Sequence, residues 1–174
     1  MVTPLLLLAL LSGQAHAADK IKVVTTTEDL AAIAREVGGD EVEVEAIAKG
    51  YQDPHFVEAK PSHLVRLRKA DLFVQIGLEL EAAWAPPLLA NCRNPLIQPG
   101  RPGFLDVSEG CEILQRPQGA VDRSSGDVHP FGNPHYWTDP ENGRKIARSL
   151  ARRLSKISPQ RASAFEVNLK RFEE

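Results

Sequence analysis

Two hydrophobic periods take turns along this chain. Ile21-Lys22-Val23-Val24-Thr25-Thr26 is rich in β-formers and runs into polar Thr27-Glu28-Asp29. Leu30, Ile33, Ala34 and Val37 then recur at i, i+3, i+4 and i+7, one apolar face of a helix, and Gly38-Gly39 supplies a left-handed stop. Val42, Val44 and Ala46 alternate with Glu41, Glu43 and Glu45, which predicts a second strand with one wet face. Lys60-Pro61-Ser62 opens a helix carrying Leu64, Val65 and Leu67, and Asp71 to Gly77 reads as a buried strand. A helix around Trp84 to Leu89 and a strand near Phe104 to Val107 follow. Alternating strands and helices predict an α/β fold, a parallel β-sheet flanked by helices.

Gln115 to Phe131 is polar and turn-rich and reads as a surface loop. Asp139-Pro140 gives an N-cap and a first-turn proline to a helix whose Ile146, Ala147, Leu150, Ala151 and Leu154 form its buried stripe. Ser158-Pro159 repeats that start signal, and Ala162, Phe165, Leu169 and Phe172 carry a second apolar stripe to the end of the chain. That helix has no stop signal, so the chain is expected to be interrupted there.

The first seventeen residues stand apart. Leu5 to Leu11 form a short apolar run and Ala15-His16-Ala17 places small residues where a signal peptidase reads, so residues 1–17 are expected to be a signal peptide and Ala18 the mature start. Met1 to Pro4 carries no Lys or Arg, off-pattern for such a segment, which suggests a true start further upstream. The run falls short of the about 20 apolar residues a membrane span needs. With no cysteine at the cleavage site, a free periplasmic protein is expected rather than a lipid-anchored one. A formal net charge of -2 lacks the basic excess that nucleic acid or an anionic membrane would call for. The two cysteines, Cys92 and Cys111, are a disulfide candidate in an oxidising compartment, worth roughly 3 kcal/mol in the loop-entropy model; two unpaired buried thiols are the alternative.

The chemistry gathers in two segments, Gly50-Tyr51-Gln52-Asp53-Pro54-His55 and Gly132-Asn133-Pro134-His135-Tyr136-Trp137-Thr138-Asp139-Pro140. Each sets a histidine directly after a proline, whose fixed φ and effect on the preceding residue stiffen the backbone that aims the ring. Alone, a Pro-His pair in a loop is more often a hydrogen-bonded surface histidine. Two of them at strand-end loops of one α/β sheet point instead to a metal site, because ligands gather at the carboxyl ends of the strands. His55 and His135 are the candidate metal ligands. His129 in the polar loop is a candidate auxiliary ligand, whereas His63 reads as a solvated or packing residue and His16 leaves with the signal peptide. Asp53 is either an orienting partner or a turn former, Asp139 a helix cap, and Tyr136 and Trp137 the wall behind His135.

Taken together and in this order, these two segments, Lys60-Pro61-Ser62 and the strand Ala70-Asp71-Leu72-Phe73-Val74 resemble the zinc and manganese substrate-binding proteins of ABC importers. The resemblance runs over residues 20–174 but only to the amino-terminal half of that family. It implies two α/β lobes joined by a long rigid helix, with the metal in the cleft between them. On this basis residues 18–157 are the amino-terminal metal-binding lobe and residues 158–174 the start of the connecting helix. His55 and His135 match the two histidines of the first lobe. The remaining ligands, usually a histidine or glutamate and an aspartate, come from a second lobe that has no counterpart here, so the chain reads as a fragment or a truncated product. Zinc-specific members often carry a His- and acid-rich insert where this chain has only His129, Asp122 and Asp127.

The expected function is therefore capture of a divalent transition metal, zinc first with Mn2+ or Fe2+ as alternatives, and its delivery to an ABC import permease, without bond-breaking chemistry. The rival readings are an exported metal-dependent hydrolase, against which no HExxH or similar motif accompanies either histidine, and an adhesion or interaction module in which the histidines are incidental.

Overall fold

The β-rich runs pair as the pattern requires. In the computed structural model, which describes residues 19–119 and 129–174, four strands form one sheet: β1 (Ile21–Thr25), β2 (Val42–Ala46), β3 (Leu72–Gln75) and β4 (Phe104–Asp106). All neighbours are parallel, in the order β2-β1-β3-β4, with Val23 opposite both Val44 and Leu72, and Val74 opposite Leu105. The signal-peptide segment, Asp122 and Asp127 lie outside the described residues.

Side chains alternate across a parallel sheet, so successive residues of the central strands feed two cores. Val23, Leu72 and Val74 face one side, where they join Leu30, Val37, Ile146, Leu150, Leu154 and Phe165 from α1 (Glu28–Gly38), α4 (Pro140–Ile157) and α5 (Ala162–Glu173). Val24 and Phe73 face the other and join Leu67, Trp84, Leu88 and Leu89, contributed by α2 (Pro61–Lys69), α3 (Ala85–Asn91) and the residue that opens it. The result is a parallel sheet between two helical layers.

Local signals set the helix limits. The Thr27 hydroxyl accepts from the Leu30 N–H at the start of α1, and Gly39 ends that helix at φ 55°. Asp139 Oδ1 accepts from the Glu141 N–H at 2.9 Å and caps α4, as expected. Two details differ from the pattern reading. Trp84 caps α3 rather than lying within it. On α2 the inward pair is His63 and Leu67, four residues apart, while Val65 turns to solvent. His63 is thus a packing residue, and its Nδ1 accepts from the Lys60 N–H at 3.3 Å.

The expected Cys92–Cys111 disulfide does not form: both thiols are free. Cys92 is buried with the α2–α3 core and Cys111 packs against the opposite core, so the sheet separates them. Each thiol donates instead to a carbonyl in its own turn, Cys92 to Leu89 and Cys111 to Val107.

Because every strand runs the same way, all four carboxyl ends meet at one edge of the sheet. The chain leaves β2 there into the loop that carries His55. It leaves β3 there into Ile76 to Trp84, whose Ile76 carbonyl accepts the Tyr136 hydroxyl at 2.6 Å. That bond brings the His135 segment to the same edge.

Candidate metal centre

Both histidines are held by one device. Asp53 Oδ1 accepts from the His55 backbone N–H at 2.9 Å and lies 2.7 Å from His55 Nδ1. Asn133 Oδ1 accepts from the His135 backbone N–H at 2.9 Å and lies 2.9 Å from His135 Nδ1. The sequence behind this is an Asx-Pro-His triplet in each case. Asp or Asn closes a turn onto the backbone two residues on, and the intervening proline fixes the turn. An oxygen that accepts from a backbone N–H is an acceptor, so the facing Nδ1 carries the ring proton. Nε2 of each imidazole is then left with its lone pair, the form that binds a transition metal.

The rings come together across the crevice. The centroids of His55 and His135 are 5.4 Å apart, and those of His55 and His129 are 5.2 Å apart. His55 Nε2 and His129 Nε2 lie 3.1 Å from each other. Two nitrogens bound tetrahedrally to zinc at about 2.0–2.1 Å stand roughly 3.3 Å apart, so this contact has the spacing of two ligands on one ion. Among the described residues no three His, Cys, Asp or Glu side chains have a grouping that would hold a metal by themselves.

Charge distinguishes the two anchors. The Asp53 carboxyl is held below its usual range, first by the His55 backbone N–H and then by the ring it faces, so it stays ionised beside His55. Asn133 is neutral. His135 presents an exposed edge, but its crowded side loses hydration, and this first, then the nearby His55 and His129, lowers its affinity for a proton.

Trp137 packs its ring 5.2 Å from that of His135, while Tyr136 turns into the core with its hydroxyl on the Ile76 carbonyl. Of the two aromatics expected behind His135, only Trp137 packs on its ring. Tyr51, Phe56 and Phe131 are exposed around the imidazole-bearing loops. The pattern reading did not single out Asn133, although the repeated Asx-Pro-His triplet was the signal that it does for His135 what Asp53 does for His55. It also passed over Glu81 and Trp84, which no local motif marks.

The family model described as zinc-uptake complex component A, periplasmic, matches residues 23–174. The chain is similar to the manganese ABC transporter substrate-binding lipoprotein of Streptococcus mitis, 31% identical over 97% of this chain and 52% of the relative. It is also similar to the metal ABC transporter substrate-binding lipoprotein of Streptococcus cristatus, 30% identical over 89% of this chain and 47% of the relative. Among solved structures, a Mn-bound periplasmic metal binding protein from Candidatus Liberibacter asiaticus superposes with TM-score 0.70 at 19% identity, over 88% of this chain and 52% of that one. The crystal structure of ZnuA gives TM-score 0.69 at 24% identity, over 88% and 53%. The last two establish the fold. The chain spans about half the length of the curated relatives it matches. With the family model covering nearly all of the described residues, the chain belongs to the family of periplasmic zinc-uptake component A.

Proposed function

We propose that this chain is the amino-terminal lobe of an exported receptor that captures a divalent transition-metal ion for an ABC import permease, with His55 and His135 as metal ligands through Nε2. The observation that supports this most is the repeated Asx-Pro-His anchor, which favours in both rings the tautomer with a lone pair on Nε2, on imidazoles whose centroids are 5.4 Å apart. Residues 18–157 form the lobe and residues 158–174 the start of a connecting helix. The ion is cargo, and no bond is made or broken in it. Among the described residues no helix is long and apolar enough to cross a membrane.

Zinc is the favoured ion because imidazole suits it. The Streptococcus mitis relative carries manganese in its name, so Mn2+ is the competitor to test. Two imidazoles and water hold a metal far less tightly than a closed site of three or four ligands, and the family resemblance assigns the remainder to a second lobe. The exposed Tyr51, Phe56 and Phe131 are the surface on which such a lobe would close.

Calorimetric titration of residues 18–174 with Zn2+ and with Mn2+, beside the same chain carrying His55→Ala and His135→Ala, tests the assignment. Weak Zn2+ binding that disappears in the double variant is expected. Equal binding by both chains would overturn it.

A further inference from the structure

Between β3 and α3 the chain takes a costly path. Gly77, Leu78 and Glu79 all have positive φ, at 81°, 54° and 67°. Glycine adopts this region freely, but for Leu78 and Glu79 it is unfavourable by about 1 kcal/mol or more each. A buried carboxylate closes over the turn. Glu81 Oε1 accepts from the Ile76 N–H at 2.8 Å and from the Thr26 hydroxyl at 2.7 Å, and Oε2 accepts from the Gly77 N–H at 3.1 Å. Glu81 is only 3% exposed. Burial of a carboxyl is unfavourable, and closing a loop alone could be done by a neutral side chain.

The neighbours of this turn show what it holds. The Ile76–Gly77 peptide group, whose N–H donates to Glu81, offers its carbonyl to the hydroxyl of Tyr136, the residue after His135. At the other end, Trp84 Nε1 donates at 2.8 Å to the carbonyl of Pro54, the residue before His55. Both candidate ligands are thus one residue away from an anchor on a single nine-residue segment. Glu81 lies inside that segment and ties it to the end of β1 through Thr26. The spacing between two loops far apart in sequence is transmitted through one piece of chain.

We propose that Glu81 is the positioning residue of the metal site: by clasping Ile76 to Trp84 against Thr26, it sets the separation of His55 and His135. This rests on reading those two histidines as ligands. Burial pushes the Glu81 carboxyl up from its ordinary range, while its three donors pull it down.

The test uses three near-isosteric variants of the full chain, Glu81→Gln, Trp84→Phe and Tyr136→Phe. Gln keeps the volume but turns an N–H toward the Gly77 donor, and each Phe deletes one arm. Long-range 1H–15N imidazole spectra of the metal-free protein are read first, then Zn2+ affinity by chelator competition, then the visible bands of bound Co2+. Glu81→Gln is expected to shift the ring resonances of both His55 and His135, to change the Co2+ bands and to weaken Zn2+ by about tenfold, as outer-shell losses do. Trp84→Phe should move His55 alone and Tyr136→Phe His135 alone. Unmoved rings and wild-type affinity in Glu81→Gln overturn the proposal. Should that variant not fold, Thr26→Val, which removes the hydroxyl donor that ties Glu81 to the end of β1, is read in the same way. Zn2+ binding that survives His55→Ala with His135→Ala would instead overturn the ligand assignment, while the metal-free spectra still decide the role of Glu81.

Discussion

Asp53 grips His55 twice through one oxygen, at 2.9 Å from its backbone N–H and 2.7 Å from its Nδ1, and so fixes the turn and the tautomer together. Asn133 repeats the arrangement on His135 without the charge. Loss of such an outer partner typically weakens a metal site by about 10- to 100-fold. Asp53→Ala and Asn133→Ala are each expected to lower Zn2+ affinity in that range. Asp53→Asn, which keeps the turn and removes only the charge, should lose less. Chelator competition at pH 7.5 distinguishes the three; equal losses in Asp53→Ala and Asp53→Asn would assign the whole effect to charge.

Much of this was legible in the chain. The sheet could be read because Val23-Val24 and Leu72-Phe73-Val74 are continuous apolar runs that only a strand buried on both faces requires, and the helices because their caps are local. The stiff turns that bring the His55 and His135 rings near each other could be read because proline marks them. Glu81 and Trp84 could not, since the contacts that tie them to other loops, with Thr26 and Pro54, lie 55 and 30 residues away and no periodicity encodes a contact at that range. The cysteines misled for the same reason. Their spacing permits a loop of ordinary length, but whether a sheet stands between two thiols is a property of the topology.

His129 carries a prediction whose sign discriminates between two readings. If its Nε2, 3.1 Å from that of His55, joins the metal, then His129→Ala lowers Zn2+ affinity by roughly tenfold, about 1.4 kcal/mol. If its Nε2–H merely donates to the His55 lone pair, the contact competes with the metal and His129→Ala raises affinity. Titration of the variant under the wild-type conditions separates the two, and a loss is expected.

His63 should make folding stability depend on pH. Burial first, then the charges of Arg66, Lys60 and Lys49, holds its imidazole below the ordinary range, so it stays neutral in the folded chain while the unfolded chain takes up a proton. A folded-state pKa that is depressed contributes stability above the unfolded value, about 6.5, and loses it as pH falls through the folded value. Urea midpoints measured from pH 7.5 down to pH 5 should therefore fall for the wild type. His63→Asn should flatten that segment of the curve even if it lowers stability throughout.

The last helix offers a test of how the lobe is completed. Phe165 is fully buried among residues of the α1–α4 core, and it is the only residue of α5 that is buried outright. Around it α5 is tied by polar contacts at its edges: Asn168 donates to the Val37 carbonyl at 3.1 Å, Arg148 pairs with Glu173 at 2.5 Å, and Arg161 pairs with Glu41 at 3.0 Å. The half-exposed Arg148–Glu173 pair contributes little beside the buried ring. Phe165→Ala should cost about 3–5 kcal/mol by the transfer and cavity terms of a large-to-small core change. Arg148→Ala, with half of its side chain exposed, should cost no more than about 1 kcal/mol. Urea denaturation followed by tryptophan fluorescence compares them, with Trp84 and Trp137 reporting from the two sides of the sheet. A Phe165→Ala loss no larger than that of Arg148→Ala would mean that α5 adds little to the stability of the lobe on which it lies.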